Sequence, residues 1–168
     1  MLVRDPHLES WGEAMVTPSG IGNLDAPGIP IVRFAGEHDF LSNFYPIDIL
    51  ADRLVYPTLE HAFQAAKAIK EEDRIYIARL STPGKAKYWG RRIKCRGDWD
   101  EVKIGVMTNL IALKFARGSH LADLLALTGD RELIEGNSWG DRYWGVCRGI
   151  GENHLGRILM ARRLELRS

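Results

Sequence analysis

The stretch Glu135-Gly136-Asn137-Ser138-Trp139-Gly140-Asp141-Arg142-Tyr143-Trp144-Gly145 limits what this chain can fold into more than any other. Gly136, Gly140 and Gly145 interrupt it, so it does not run as a regular buried helix, where its polar groups would also lack partners. It is a poor surface loop as well, because Trp139 and Trp144 would leave a large apolar area in water. Two readings remain. In one, the loop folds against the body and presents its rings, with Glu135, Asn137 and Asp141, to a flat polar ligand such as a purine, a pyrimidine or a sugar. In the other, it is an aromatic plug that closes the core under a turn.

The chain has 168 residues, enough for one domain with a sizeable core. A hydrophobic share of 45% and a charged share of 27% are those of a soluble globular protein. The net charge of +1 supplies no global field toward nucleic acid or membrane, although a local basic cluster can still hold an anion. Cys95 and Cys147 form no CxxC pair, which argues against a disulfide framework or a structural zinc site and fits a reducing compartment. The N-terminus has no basic start followed by an apolar run, and no apolar stretch reaches the roughly 20 residues of a membrane span. A cytoplasmic location is the expectation.

Residues 1–30 are rich in helix and strand breakers, such as Thr17-Pro18-Ser19-Gly20 and Ala26-Pro27-Gly28. They read as an irregular arm that Trp11 and Met15 can dock, with the compact domain over residues 31–168. Residues 31–34 read as a short strand and 47–55 as a hairpin turning at Asp52. Thr58 predicts a helix cap, with a helix to about Ile69 burying Leu59, Ala62, Phe63 and Ala66. Thr82-Pro83 opens a second helix to about Gly90. Asp98 with Glu101 has capping-box spacing and opens the longest helix, to about Ala116, with Val102, Val106, Leu110 and Leu113 inward. Ser119 opens another that ends at Gly129, and a last one covers residues 153–164, burying Leu155, Ile158, Leu159 and the stem of Arg162. The sum is α+β, a single compact helix-dominated domain with a few short strands.

Three clusters carry chemistry. Glu60, Gln64 and Lys67 share one helical face, with Glu60 in the first turn where the helix dipole favours a carboxylate. That stripe is either a solvated face or one wall of a site. Lys85, Lys87, Arg91, Arg92, Lys94 and Arg96 form a basic run with Tyr88 and Trp89 inside it. Such a run is a solvated face or a place where a base stacks and a phosphate is held, and the balanced total charge favours a single phosphate over a nucleic-acid track. Gly149-Ile150-Gly151-Glu152-Asn153 leads into the last helix and reads either as an anion cradle or as a tight turn with Asn153 as N-cap. The dinucleotide fingerprint is absent, since His154 replaces its third glycine. The five histidines show no metal spacing, Cys147 is a nucleophile only with a histidine beside it, and neither GxSxG nor a P-loop occurs.

Taken in order, several segments resemble one family. They are Phe40-Leu41-Ser42-Asn43-Phe44-Tyr45-Pro46, Glu60-His61-Ala62-Phe63-Gln64-Ala65-Ala66-Lys67, Leu127-Thr128-Gly129-Asp130, Glu135-Gly136-Asn137 with Trp139-Gly140-Asp141 and Tyr143-Trp144-Gly145, and Gly149-Ile150-Gly151-Glu152-Asn153-His154-Leu155-Gly156. Together, over about residues 32–163, they are similar to the YbiA-like or NADAR (NAD- and ADP-ribose-associated) family.

The resemblance implies a compact α+β N-glycosidase that needs neither a metal nor an organic cofactor. Its substrates are phosphorylated early riboflavin intermediates, which release ribose 5-phosphate, or ADP-ribose carried on guanine. The implied catalytic acids are Glu60 and Asp141, and the implied tryptophan is Trp89 or Trp99. The expected substrate-binding set adds Asn43, Phe44, Gln64, Lys67, Arg91, Arg92, Glu135, Asn137, Trp139 and Trp144. Cleaving an N-glycosidic bond builds positive charge on the anomeric carbon and ring oxygen, which a carboxylate stabilises while one can also deprotonate water. The alternatives are an ADP-ribosyl hydrolase, for which nucleic acid becomes a partner, a non-catalytic nucleotide-binding module that would not need the acids, and a plain structural domain.

Overall fold

The computed structural model describes residues 28–168. Nearly all of the expected arm, with Trp11 and Met15, lies outside the described residues. Those described form six α-helices, one 3₁₀ helix and four short strands, an α+β domain dominated by its helices.

The fold is built around a hairpin that feeds a buried helix. Strands β1 (Pro46–Ala51) and β2 (Leu54–Thr58) pair antiparallel, with Ala51 opposite Leu54. The two-residue turn between them puts Asp52 at φ 47° and Arg53 at φ 66°, a left-handed pair that matches the twist of the strands. β2 runs directly into α1 (Leu59–Ala65), whose cap is Thr58: its Oγ1 accepts the amide of His61 at 3.3 Å. All seven residues of α1 are buried, because α2 (Glu71–Ala78), α3 (Pro83–Gly90), α4 (Trp99–Lys114) and the hairpin all pack on it. His61 fits this interior as a neutral ring. Its Nε2 faces the carbonyl of Leu80 at 3.1 Å, its Nδ1 faces the Thr58 hydroxyl at 2.8 Å, and burial lowers its pKa.

α5 (His120–Leu127) and α6 (His154–Arg167) complete the helical layer, both packing together and α6 also on α4. The core runs through Phe40, Leu41, Leu59, Phe63, Ile77, Met107, Ile111, Phe115, Leu125, Leu133 and Leu159. Arg163 is buried at its edge, donating to Thr128 Oγ1 at 2.8 Å and to the Arg131 carbonyl at 2.9 Å. A second, parallel pair, β3 (Gly136–Asn137) and β4 (Val146–Cys147), brackets the glycine-rich loop.

Several elements differ from the sequence-based expectation. Residues 31–34 form no strand: only Ile31 bridges, to Leu133, and the ladder ends there because Gly136 spends its amide on the Ile134 carbonyl at 2.9 Å and pairs with Val146 instead. α1 stops at Ala65 instead of continuing to Ile69, so Lys67 follows the helix rather than riding its face. Asp98 does not cap α4 with its side chain, which instead pairs with Arg96 at 2.6 Å. The buried stripe of α4 is Met107, Leu110, Ile111 and Lys114, while Leu113 is 49% exposed. α6 extends to Arg167, and its buried arginine is Arg163 rather than Arg162. α2 was not foreseen, since only Ile77 of it is buried and no apolar period marks it.

Candidate active site

Glu60 sits in the first turn of α1 and is only 5% exposed, so its stripe is not a solvated face. Its backbone amide donates to the Asn43 carbonyl at 2.9 Å, tying the helix start to the segment after the 3₁₀ helix (Gly36–Leu41). Its Oε1 accepts from Gln64 Nε2 at 2.8 Å, the one-turn spacing that α1 provides. Burial raises its pKa, opposed by the Gln64 hydrogen bond and by the charges of Lys87, Lys67 and Arg91.

This acid opens on a cavity of about 1090 Å³. Glu135 and Asp141 line the same cavity, as do the cations Arg33, Lys67, Lys87 and Arg91. Phe34, Phe44, Phe63, Trp139 and Trp144 supply its apolar surface. Three buried polar atoms lack any protein partner among the described residues: Asn43 Oδ1, Gln64 Oε1 and Glu135 Oε2. All three belong to residues of this cavity. Desolvated groups of this kind are costly unless water or a ligand satisfies them, so three on one cavity wall make it the candidate site.

The loop wall is rigid because its polar side chains serve its own backbone. Asn137 accepts the amide of Asp141 at 3.0 Å and donates to the Asp141 carbonyl at 2.7 Å. Asp141 Oδ1 accepts the amides of Tyr143 at 3.1 Å and Trp144 at 2.9 Å. Trp144 in turn meets Phe63 of α1 edge-on, with ring centroids 5.2 Å apart. Trp139 stands at the rim, 65% exposed. On the opposite side, Lys114 Nζ donates to the Ser42 carbonyl at 2.6 Å and so holds the Asn43–Phe44 segment, with burial lowering its pKa to about 7.

Of the residues singled out from sequence, eleven line this one cavity: Asn43, Phe44, Glu60, Gln64, Lys67, Arg91, Glu135, Asn137, Trp139, Asp141 and Trp144. Trp89, Arg92 and Trp99 do not. Trp89 packs edge-on against Tyr76 and Tyr88. Arg92 lies 3.4 Å over the Tyr88 ring and donates to the Tyr88 carbonyl. Trp99 packs tilted against Phe63, ring centroids 5.1 Å apart, and carries Lys67 on its face, so it supports the wall without lining the cavity. Lys87 lies outside the expected site set, although it stands one turn before Arg91, the residue that caps the end of α3, and so on the same side. Arg33, Phe34, Ser42 and Met107 also line the cavity and lie outside the expected site set.

The turn before α6 is not an anion cradle. The amides of Glu152, Asn153, His154 and Leu155 donate to the carbonyls of Arg142, Gly145, Tyr143 and Trp144. Asn153 does not cap with its side chain: it is left-handed at φ 52° and spends its amide group on Glu135 N and the Leu133 carbonyl. Cys147 is buried outside the cavity lining. Among the described residues no group of His, Cys, Asp and Glu is placed to hold a metal, and no helix is long and apolar enough to cross a membrane.

Gly90 ends α3 directly over this site: a methyl group there would stand 2.0 Å from Gln64 Oε1. Gly90→Ala should therefore push Gln64 off Glu60 and lower turnover by roughly tenfold, the scale of one hydrogen bond to a charged group. The check is kcat beside a melting curve; unchanged kcat in a folded variant would separate Gln64 from the chemistry.

A helix-rich α+β domain whose central helix delivers a buried acid into an open cleft has the layout of a small enzyme. Comparison with known proteins gives the family. The chain belongs to the NADAR family, whose domain matches residues 33–167. It is 40% identical over 128 residues to the N-glycosidase YbiA of Escherichia coli, covering 74% of this chain and 79% of that protein. An N-glycosidase of Nostoc punctiforme is 36% identical over 133 residues, covering 76% and 85%. A riboflavin biosynthesis protein of Vibrio vulnificus is 37% identical over 139 residues, but the match takes in 77% of this chain and only 36% of that longer protein. The NMR structure of E. coli YbiA superposes with a TM-score of 0.73 at 35% identity, over 83% of this chain and 84% of the other.

Proposed function

We propose that this protein is an N-glycosidase that cleaves the bond between C1′ of a phosphorylated ribose and a base nitrogen, releasing ribose 5-phosphate, with an early riboflavin-pathway aminopyrimidine as the base. The observation that carries this reading is Glu60: a buried carboxylate, held on one oxygen by Gln64, at the wall of a cavity that also presents cations and rings. The N-glycosidase relatives support the reaction class and the Vibrio protein supports the riboflavin side.

In this reading Glu60 faces the anomeric carbon, stabilising its developing positive charge and taking the proton of the attacking water. Asp141 has Oδ1 committed to two loop amides, leaving Oδ2 to orient a ribose hydroxyl. Lys87 on α3 and Arg91 at its C-cap, one turn apart, take the phosphate. The base stacks on the loop rings, Trp144 and Trp139, in place of Trp89 or Trp99, which lie outside the cavity. Incubation with phosphoribosylated aminopyrimidines, NAD, ADP-ribose and ADP-ribosylated guanosine, with assay of released sugar and base, tests the reading. Release from none of them would end it.

The volume of the cavity favours one second reading. At about 1090 Å³ it sits at the upper end of small-molecule sites, and the exposed Trp139 offers another stacking face at its mouth. An ADP-ribose moiety on guanine fits that space, and cleavage of ADP-ribosylated guanosine in preference to the aminopyrimidine would establish it.

Arg91→Ala and Lys87→Ala should each raise KM for a phosphorylated substrate by about tenfold or more and leave that of its dephosphorylated analogue nearly unchanged, since only the former loses a charge-assisted contact. Equal losses on both substrates would assign these side chains to structure.

A further inference from the structure

Glu135, expected from the sequence only to bind substrate, has the most unusual surroundings of the three acids. Its backbone is clamped: the amide donates to Asn153 Oδ1 at 3.0 Å and the carbonyl accepts from Val146 at 2.8 Å. Gly145 lies against it so closely that a side chain there would strike the Glu135 carbonyl and its Cγ. A residue fixed this firmly has its side chain aimed by the fold. Among the described residues its Oε2 is buried without a protein partner, at the wall of the cavity that holds Glu60. Asp141, unlike Glu135, has an oxygen fully used by the loop.

We propose that Glu135 is the acid that protonates the departing base while Glu60, in the same cavity, receives the proton of the attacking water. The inference deepens the N-glycosidase reading and rests on it. The step balances as follows. The C1′–N bond breaks and its electron pair stays on nitrogen, which takes the proton from Glu135 Oε2. The water oxygen bonds to C1′ and gives one proton to the Glu60 carboxylate. One water is consumed, Glu60 ends neutral and Glu135 ends ionised, and bulk water resets both. An amine nitrogen is too basic to depart as an anion, so this proton matters most for such a base.

The electrostatics agree. Burial, and then the charge of Asp141, push the Glu135 carboxyl up to about 7, with Lys87 acting against them. Glu60, Lys67, Arg91 and Arg33 are the other charged groups on the cavity wall. A carboxylic acid that keeps its proton near neutral pH is what a proton donor requires.

The test pairs two substrates. One is a phosphoribosylated aminopyrimidine, whose base needs a proton; the other is nitrophenyl riboside 5-phosphate, whose phenolate leaves without one. Glu135→Gln should lower kcat/KM on the first by roughly 10²-fold or more, hold the second within a few-fold of wild type, and remove the alkaline limb near pH 7. Equal losses on both substrates, or a wild-type profile without that limb, would overturn the proposal. A second measurement needs no turnover: in a carboxyl-carbon NMR titration, the resonance missing from Glu135→Gln should titrate near 7 in wild type. Titration in the ordinary carboxylate range would also overturn it. If Glu135 titrates high but wild type cleaves neither substrate, the N-glycosidase reading itself fails and takes the proton transfer with it.

Discussion

Glu60→Gln should lower kcat by roughly 10²-fold or more, about 2.7 kcal/mol of transition-state stabilisation, with KM close to wild type. Glutamine has the same shape, and its carbonyl can still accept from Gln64 Nε2, so binding geometry survives. It can neither take a proton nor carry the charge that balances an oxocarbenium centre. The same variant should melt higher than wild type at neutral and alkaline pH. Burial raises the folded-state pKa of Glu60, so the folded chain holds its proton more tightly than the unfolded chain. The stability linked to that proton is complete below the unfolded-state value and is lost as pH rises through the folded one. Glutamine escapes the loss, so the gap in melting temperature between variant and wild type should widen from acid to alkaline pH. Steady-state kinetics with melts at several pH values measure both effects. Wild-type turnover in the variant would remove Glu60 from the mechanism, and a gap independent of pH would contradict its buried titration.

Gly145→Ala should cost about 3 kcal/mol or more and lower Tm by roughly 6–12 °C. A methyl group there would stand 2.1 Å from the Glu135 carbonyl oxygen and 3.0 Å from Asn137 Nδ2. The obstacle is backbone rather than a side chain that can swing away. That carbonyl already accepts from Val146, so making room parts β3 from β4 and shifts Glu135 and Asn137 together. Activity should fall with stability. Gly105→Ala is the control: Gly105 sits inside α4 with nothing within 4 Å of the added carbon, and alanine there should be neutral or stabilising by up to about 1 kcal/mol. Comparable melting of the two variants would show that the loop yields more easily than its contacts imply.

What was legible in the chain was local. Thr58, Thr82 and Ser119 announce their helices because each cap satisfies an amide three residues on. The hairpin and the loop were legible for the same reason. The fate of α1 was not. Its polar stripe, Glu60 and Gln64, reads by period alone as either a solvated face or one wall of a site, and only the packing of three other helices and the hairpin turns it inward. The tryptophans show the same limit. Trp89, Trp99, Trp139 and Trp144 all sit among polar neighbours along the chain, yet only the last two reach the cavity. Asn153 had the residue type and position of an N-cap, but the tertiary need to hold Glu135 and Leu133 took its side chain.

The bonds that join the loop to α6 bear on the order in which this molecule assembles. The amides of residues 152–155 reach carbonyls of residues 142–145, partners about ten positions apart. Closing so short a span costs little chain entropy, whereas bringing the loop to Glu60 closes one of about 75 residues, 135 minus 60. The aromatic wall and the last helix can thus come together as a nearly independent piece, early and with few wrong partners. The cleft lies at the seam where the local contacts between the loop and α6 meet the long-range ones that bring in Glu60.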